Sequence, residues 1–166
     1  PIRAAQRGDA AAALRWPDDS PEAVARRRTA LAAIAARLDQ LSGLSESDML
    51  ERDALAYRVS IQREGYAFDE ERVPFINGEG FFINPDYAST VTVLRNEAEA
   101  EAWLTRMAAV PAYFGVQIAN MRRGMASRFT QPRLVVMNSL RAVQAQAALP
   151  DADSPLLVPL ARLPAT

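Results

Sequence analysis

The sequence predicts a mainly α-helical protein, and three observations carry that prediction. Apolar residues recur at spacings of three and four along most of the chain. Each such run opens on a residue that caps a helix or sits well in its first turn. The apolar fraction is 49% and the charged fraction 23%, which provide a sizeable core with an ordinary solvated surface. A chain of 166 residues suits one domain.

The first 19 residues are rich in Ala, Arg and Asp and hold little large apolar material except Trp16. They are read as an N-terminal loop or a fragment end, with Trp16-Pro17-Asp18-Asp19 docked ahead of a single helical domain over 20–166. Ser20-Pro21-Glu22 is a strong helix start: a cap, a proline at the first helical position and an acid at the positive helix end. Leu31, Ile34, Leu38 and Leu41 form one face, and Gly43 ends the helix. Ser45 and Asp48 resemble a capping box, Leu44 and Met49 a staple, and Leu50, Ala54, Tyr57 and Ile61 the buried stripe. The spacing predicts helices over 21–41 and 46–66, joined as an antiparallel hairpin.

The stretch Phe68–Tyr87 abandons the helical period. Asn77-Gly78 between apolar runs signals a hairpin, while Pro74 and Gly80 argue against a regular one. A short irregular β-hairpin or an ordered loop is expected near 73–87. Asn96 with Glu99 opens the next helix, whose face is Trp103, Met107 and Val110. Pro111 either starts a new helix or kinks a continuous one through 97–126, with Phe114, Ile118, Met121 and Met125 on its face. Thr130 is the expected cap of a helix over 131–148 with Val136, Leu140, Val143 and Ala147 as its stripe. Asp153-Ser154-Pro155 can start one more short helix. The later helices are expected to pack in a bundle-like array on the hairpin, burying Leu38, Tyr57, Ile61, Trp103, Phe114 and Ile118.

Composition excludes more than it selects. All 19 basic residues are Arg, and the net charge is −1, so no positive excess is available for phosphates and nucleic acid is not an expected partner. The chain has neither Cys nor His. Disulfides, thiolate nucleophiles, the commonest general base and most zinc chemistry are thereby removed. The longest apolar runs are far shorter than a membrane span requires. A start at Pro1 rather than Met leads to the expectation that upstream sequence has been removed or is not represented. Exported and cytoplasmic locations both stay open.

The clusters that could carry chemistry have plainer explanations. Glu97, Glu99 and Glu101 stand where acids complement a helix dipole. Asp151 and Asp153 lack the further oxygen ligands of a calcium loop. Arg26-Arg27-Arg28 fan out around their helix, and Arg122, Arg123 and Arg128 suit terminal carbonyls. The least generic stretch is Asn77-Gly78-Glu79-Gly80 among Phe75, Phe81, Phe82 and Tyr87. It is either packing or a loop that faces a ligand or peptide.

The ordered string of motifs resembles one family. Asp19-Ser20-Pro21-Glu22-Ala23-Val24-Ala25-Arg26, Arg52-Asp53-Ala54-Leu55-Ala56-Tyr57, Phe75 to Phe82, Ala102-Trp103-Leu104 and Val110-Pro111-Ala112-Tyr113-Phe114 follow one another. Then come Gln117-Ile118-Ala119-Asn120-Met121-Arg122-Arg123-Gly124-Met125 and Gln131-Pro132-Arg133-Leu134-Val135-Val136. This resembles the N-terminal part of the bacterial family called domain of unknown function 885, over residues 16–164. The resemblance implies a long, mostly helical protein, often exported or lipid-anchored. It also implies a C-terminal half with a His-Glu helix and a zinc-dependent peptidase-like site. This chain has no His, so no catalytic, cofactor-binding or metal-ligand residue carries over onto it.

Two functions are therefore expected from different classes. One is an N-terminal helical fragment that forms a wall of a substrate cleft in a zinc-dependent hydrolase. Its partners are then the rest of its own polypeptide and a peptide-like substrate, and zinc belongs to the other half. Asn77, Glu79, Phe81 and Phe82 are its candidate cleft-facing residues. The other is a stand-alone, non-catalytic helical binding module.

Overall fold

The architecture is mainly α, and four of the α-helices among the described residues open on a side-chain cap. The computed structural model describes residues 1–163; residues 164–166, inside the expected domain bounds, lie outside it. The chain divides into two compact units, Asp19–Glu71 and Pro1–Asp18 with the chain from Arg72 onward. The hairpin forms a compact unit of its own. Its two long helices, joined by a short loop, contact mainly each other.

In the hairpin unit, α1 spans Pro21–Asp39 and α2 spans Glu46–Gly65. The Ala23 N–H donates to Ser20 Oγ (3.3 Å) and the Asp48 N–H to Ser45 Oγ (3.2 Å), so both expected caps form. The Ser45 hydroxyl donates in turn to the Asp48 carboxylate at 2.7 Å. Gly43 takes the left-handed backbone (φ +67°) in the connection. Arg27 donates to Asp19 (3.3 Å) and to Tyr66 Oη (3.2 Å), tying the start of α1 to the end of α2. Leu38 is buried as expected. Tyr57 and Ile61 are not: they are 68% and 49% exposed, and Leu50 lies bare beside them. The buried position on α2 is Val59, on the other side of a helix that turns about 100° per residue.

The second unit begins with helix where a loop is expected. Within it, α3 spans Ile2–Gln6 and α4 Ala10–Ala13, the latter capped by Asp9 Oδ1, which accepts from Ala12 N–H at 2.9 Å. Alanine loses no side-chain entropy in a helix, so an Ala-rich run needs only a cap and a place to dock. Ala12 is fully buried. Trp16 is 6% exposed and stacks on Tyr113, ring centres 5.5 Å apart.

A 3₁₀ turn over Glu70–Arg72 leads into β1 (Phe75–Ile76) and β2 (Glu79–Gly80). They pair antiparallel, Phe75 opposite Gly80 and Ile76 opposite Glu79, so the loop is the two residues Asn77-Gly78. Both have positive φ (35° and 89°), as this tight hairpin turn requires. A Cβ on Gly80 would lie 2.6 Å from Phe75 Cβ, which explains the second glycine. A 3₁₀ turn over Phe81–Ile83 then runs into α5 (Asn84–Val91), a helix that the periodicity does not reveal. It buries only Pro85, Ala88 and Ser89, and has no side-chain cap.

Next come α6 (Glu97–Ala108) and α7 (Val110–Ala126). Asn96 Oδ1 accepts from Glu99 N–H at 3.0 Å, and Pro111 begins a new helix rather than kinking one. Next, α8 spans Arg133–Ala147, starting later than expected. Thr130 does not cap it; Pro132 occupies the cap position in extended backbone, and the residue before a proline is itself pushed out of helix. The tail gives a 3₁₀ turn over Pro155–Leu157, with Ser154 Oγ accepting from Leu156 N–H, and a last short helix α9 (Val158–Ala161).

The core of this unit is Trp16, Ala88, Leu94, Trp103 and Tyr113, with Phe81, Phe114 and Met107 packed on it. Trp103 is buried as the spacing predicts; Phe114 is half-buried, and Ile118 is 41% exposed. On α7 the buried positions are Tyr113, Gln117, Asn120 and Gly124, one residue behind the apolar stripe. On α8 the buried residue is Ser139, while Val136, Leu140 and Val143 are exposed.

Two stability predictions follow from these contacts. A Cβ at Gly124 would stand 2.6 Å from the Arg72 carbonyl oxygen and 2.8 Å from that of Phe129, both backbone atoms. Gly124→Ala is expected to destabilise despite the better helix propensity of Ala, whereas Gly115→Ala, which meets nothing, is expected to stabilise by up to about 1 kcal/mol. Trp16→Phe keeps a ring but removes the N–H that bonds the Arg106 carbonyl at 2.8 Å, a loss of about 1–3 kcal/mol by urea denaturation.

Candidate functional site

Two places on the second unit carry polar groups in a setting that can bind something. The first is the hairpin tip. Asn77 and Glu79 are exposed there, Phe81 is half-buried, and Phe82 is 3% exposed. The tip is fastened to α8 rather than free. Asn138 Nδ2 donates to Asn77 Oδ1 (2.9 Å), the Gly78 N–H donates to Ser139 Oγ (3.2 Å), and Gln131 Nε2 donates to the Phe75 carbonyl (2.9 Å). Phe81 stands edge-on to Phe82, Tyr113 and Phe114, at 5.7, 6.4 and 5.1 Å. The Tyr113 hydroxyl accepts from Asn84 Nδ2 (2.7 Å) and donates to the Phe81 carbonyl (3.3 Å). Asn77 and Glu79 therefore project from a braced turn, and Phe82 belongs to the core. Gln146 Nε2 donates to the Asp86 carboxylate, a further link between α8 and α5.

The second place is a cavity of about 700 Å³, bounded by α3, α4, the 91–96 segment and α6. Ile2, Ala10, Leu94 and Trp103 are among its apolar walls. Its charged groups are Asp9, Arg95, Glu99 and Arg106. Glu99 accepts from the Arg95 side chain (2.8 Å to Nη2) and from the Arg95 backbone N–H (2.8 Å). The side-chain bond first, and the backbone bond second, hold the Glu99 carboxyl below its usual range. Arg106 is 2% exposed, and its guanidinium carbon lies 4.4 Å from the centre of the Trp16 ring. Its Nε and Nη2 are buried with no hydrogen-bond partner, and burial lowers its pKa from the ordinary arginine value.

Arg106 escapes the sequence reading. The available signal is its position: three residues after Trp103 and one before Met107, it is an ionic group on an apolar stripe. The other clusters stay dispersed. Among the described residues no three Asp, Glu, His or Cys side chains come together as a metal site. The chain has no His or Cys, the commonest zinc ligands. No helix among the described residues is long and apolar enough to cross a membrane.

A family model described as "Bacterial protein of unknown function (DUF885)" matches residues 1–166. The chain belongs to the DUF885 family. The match covers the sequence from end to end, including both units and the hairpin tip. No curated protein and no solved structure matches this DUF885 chain.

The tip geometry predicts how its residues tolerate change. Asn77→Ala places an ordinary side chain at φ 35° and breaks the Asn138 bond, so a loss of about 1–2 kcal/mol is expected, with Asn77→Gly recovering part of it in thermal melts. Glu79→Ala, exposed and unstrained, should stay within about 0.5 kcal/mol of the parent. At Glu99 the depressed carboxyl supports the fold above its unfolded pKa and stops doing so as pH falls through the folded value. Glu99→Gln should melt slightly below the parent at neutral pH and converge on it in strong acid.

Proposed function

We propose that this chain is the helical scaffold of a larger zinc-dependent hydrolase of peptide-like substrates, forming one wall of its cleft and covering the half that holds the metal. The observation that supports this is the placement of the apolar stripes. Leu50, Tyr57 and Ile61 on α2, Ile118 and Met125 on α7, and Val136, Leu140 and Val143 on α8 are all exposed. Large exposed apolar faces rimmed by polar residues belong to surfaces that meet another protein segment. The remainder of the same polypeptide is the proposed segment. At the tip, Glu79 with Asn77 would be the polar contacts to substrate and Phe81 the apolar one, with Phe82 behind them. Zinc would be supplied entirely from outside this chain.

The test compares residues 1–166 with the longer polypeptide of the same reading frame. Leu140→Glu should leave the melting temperature of the short chain nearly unchanged, because Leu140 is 45% exposed there. In the longer polypeptide it should cost about 1.5–3 kcal/mol, the value of a buried leucine. Equal tolerance in both would leave the α8 face uncovered and sink the scaffold reading. Glu79→Ala in the longer polypeptide should raise KM or lower kcat on peptide substrates without changing its melting temperature; unchanged kinetics would remove the cleft role. A reading frame that stops at residue 166 would favour a stand-alone binding module.

A further inference from the structure

We infer that the cavity beside α6 is a binding site for a small carboxylate with an apolar body, and that Arg106 is the group that recognises the carboxylate. A guanidinium stays charged at any physiological pH. Taking it out of water costs several kcal/mol unless an anion and its hydrogen bonds replace the solvent. Arg106 is 2% exposed, yet Nε and Nη2 have no acceptor. Those two nitrogens are the side-on fork of arginine, whose parallel N–H bonds match the two oxygens of one carboxylate. Stacking on Trp16 offsets part of the burial but satisfies neither N–H.

The other charges around the cavity do not serve as the counter-ion. Glu99 is committed to Arg95, and the Asp9 carboxylate caps α4. Arg106 is therefore the cation of the lining whose buried N–H groups have no acceptor, and one carboxylate supplies the two oxygens that Nε and Nη2 lack. The walls set the remainder of the ligand: Ile2, Ala10, Leu94 and Trp103 favour an aliphatic or aromatic body over a polar one. A cavity of about 700 Å³ suits a ligand of ordinary metabolite size. Neither nitrogen is open to solvent, so engagement requires the guanidinium to swing off Trp16 toward the cavity. Binding should therefore change the environment of Trp16. This inference does not depend on the proposed hydrolase scaffold.

Octanoate is the probe, with octanol and octylamine as its neutral and cationic counterparts. Octanoate should raise the melting temperature of the protein saturably and alter its tryptophan fluorescence. Octanol and octylamine should bind at least tenfold more weakly. In Trp16→Phe the Trp16 part of the fluorescence change should be lost, leaving the part due to Trp103 in the cavity wall, while the thermal shift persists. Arg106→Met should abolish the preference for octanoate and, without ligand, melt no lower than the parent, because it removes an unpaired buried charge. Arg106→Lys keeps the charge but loses the fork, and should lose most of the preference. Equal binding of octanoate and octanol, no saturable shift with octanoate, or a preference that survives Arg106→Met would each overturn the assignment. The ligand comparison on the parent protein decides the matter even if neither Arg106 variant folds.

Discussion

Trp16 is the residue on which the second unit depends. Its ring stacks on Tyr113 and carries the Arg106 guanidinium over it, and its N–H donates to the Arg106 carbonyl. Through Tyr113 the contact continues to the Asn84 amide, the Phe81 carbonyl and the ring of Phe114. One side chain near the start of the chain thus joins α6, α7 and the turn that leads from the hairpin into α5. An aromatic side chain can do this because it offers two faces for stacking and one directional polar group. The helices α3 and α4 are too short to be stable alone, and Trp16 anchors the segment that carries them.

Around that anchor, α7 and α8 bury polar or small residues and turn their larger apolar ones outward. Gln117, Asn120 and Ser139 are almost fully enclosed, while Ile118, Val136 and Leu140 are open. Polar burial is tolerated because these groups have partners: Asn120 accepts from Arg123, and Ser139 accepts from the Gly78 amide. Such bonds fix register and direction, since a buried polar group left unpaired costs about 1–3 kcal/mol. The hairpin turn is held against α8 in this way, which makes its tip a rigid presentation rather than a mobile loop.

Periodicity made helix existence legible, and capping made the starts legible. Ser20, Ser45 and Asn96 each accept the backbone N–H their positions predict. The Asn77-Gly78 turn was only partly readable: Asn-Gly signals a hairpin, but Pro74 and Gly80 left an ordered loop equally open, and the positive φ of both turn residues decides between them. What could not be read was which face of a helix is inward. Apolar spacing identifies a stripe that wants cover, not the surface that covers it, so Tyr57, Ile61 and Ile118 fall on the open side. The helix α5 was hidden because its buried residues are Pro85, Ala88 and Ser89, which leave no hydrophobic signal. The cavity depends on α3 and α4 docking beside α6, an association that no local pattern encodes.

The same limit explains why Arg106 is the more informative of the two candidate places. The residues of the hairpin tip have internal explanations: Asn77 is needed for its backbone and its bond to Asn138, Gly80 for its closeness to Phe75, and Phe82 for the core. Only Glu79 there is unclaimed by local structure among the four cleft candidates once Phe81 is counted with the aromatic cluster. At Arg106 the balance is reversed. Leucine or methionine at that position would pack on Trp16 without desolvating a charge, and replacing buried ions by apolar residues of similar size is often neutral or stabilising. The fold thus carries a cost at Arg106 that its own packing does not require. A cost of that kind beside an open, mostly apolar cavity is better explained by what enters the cavity than by what surrounds it.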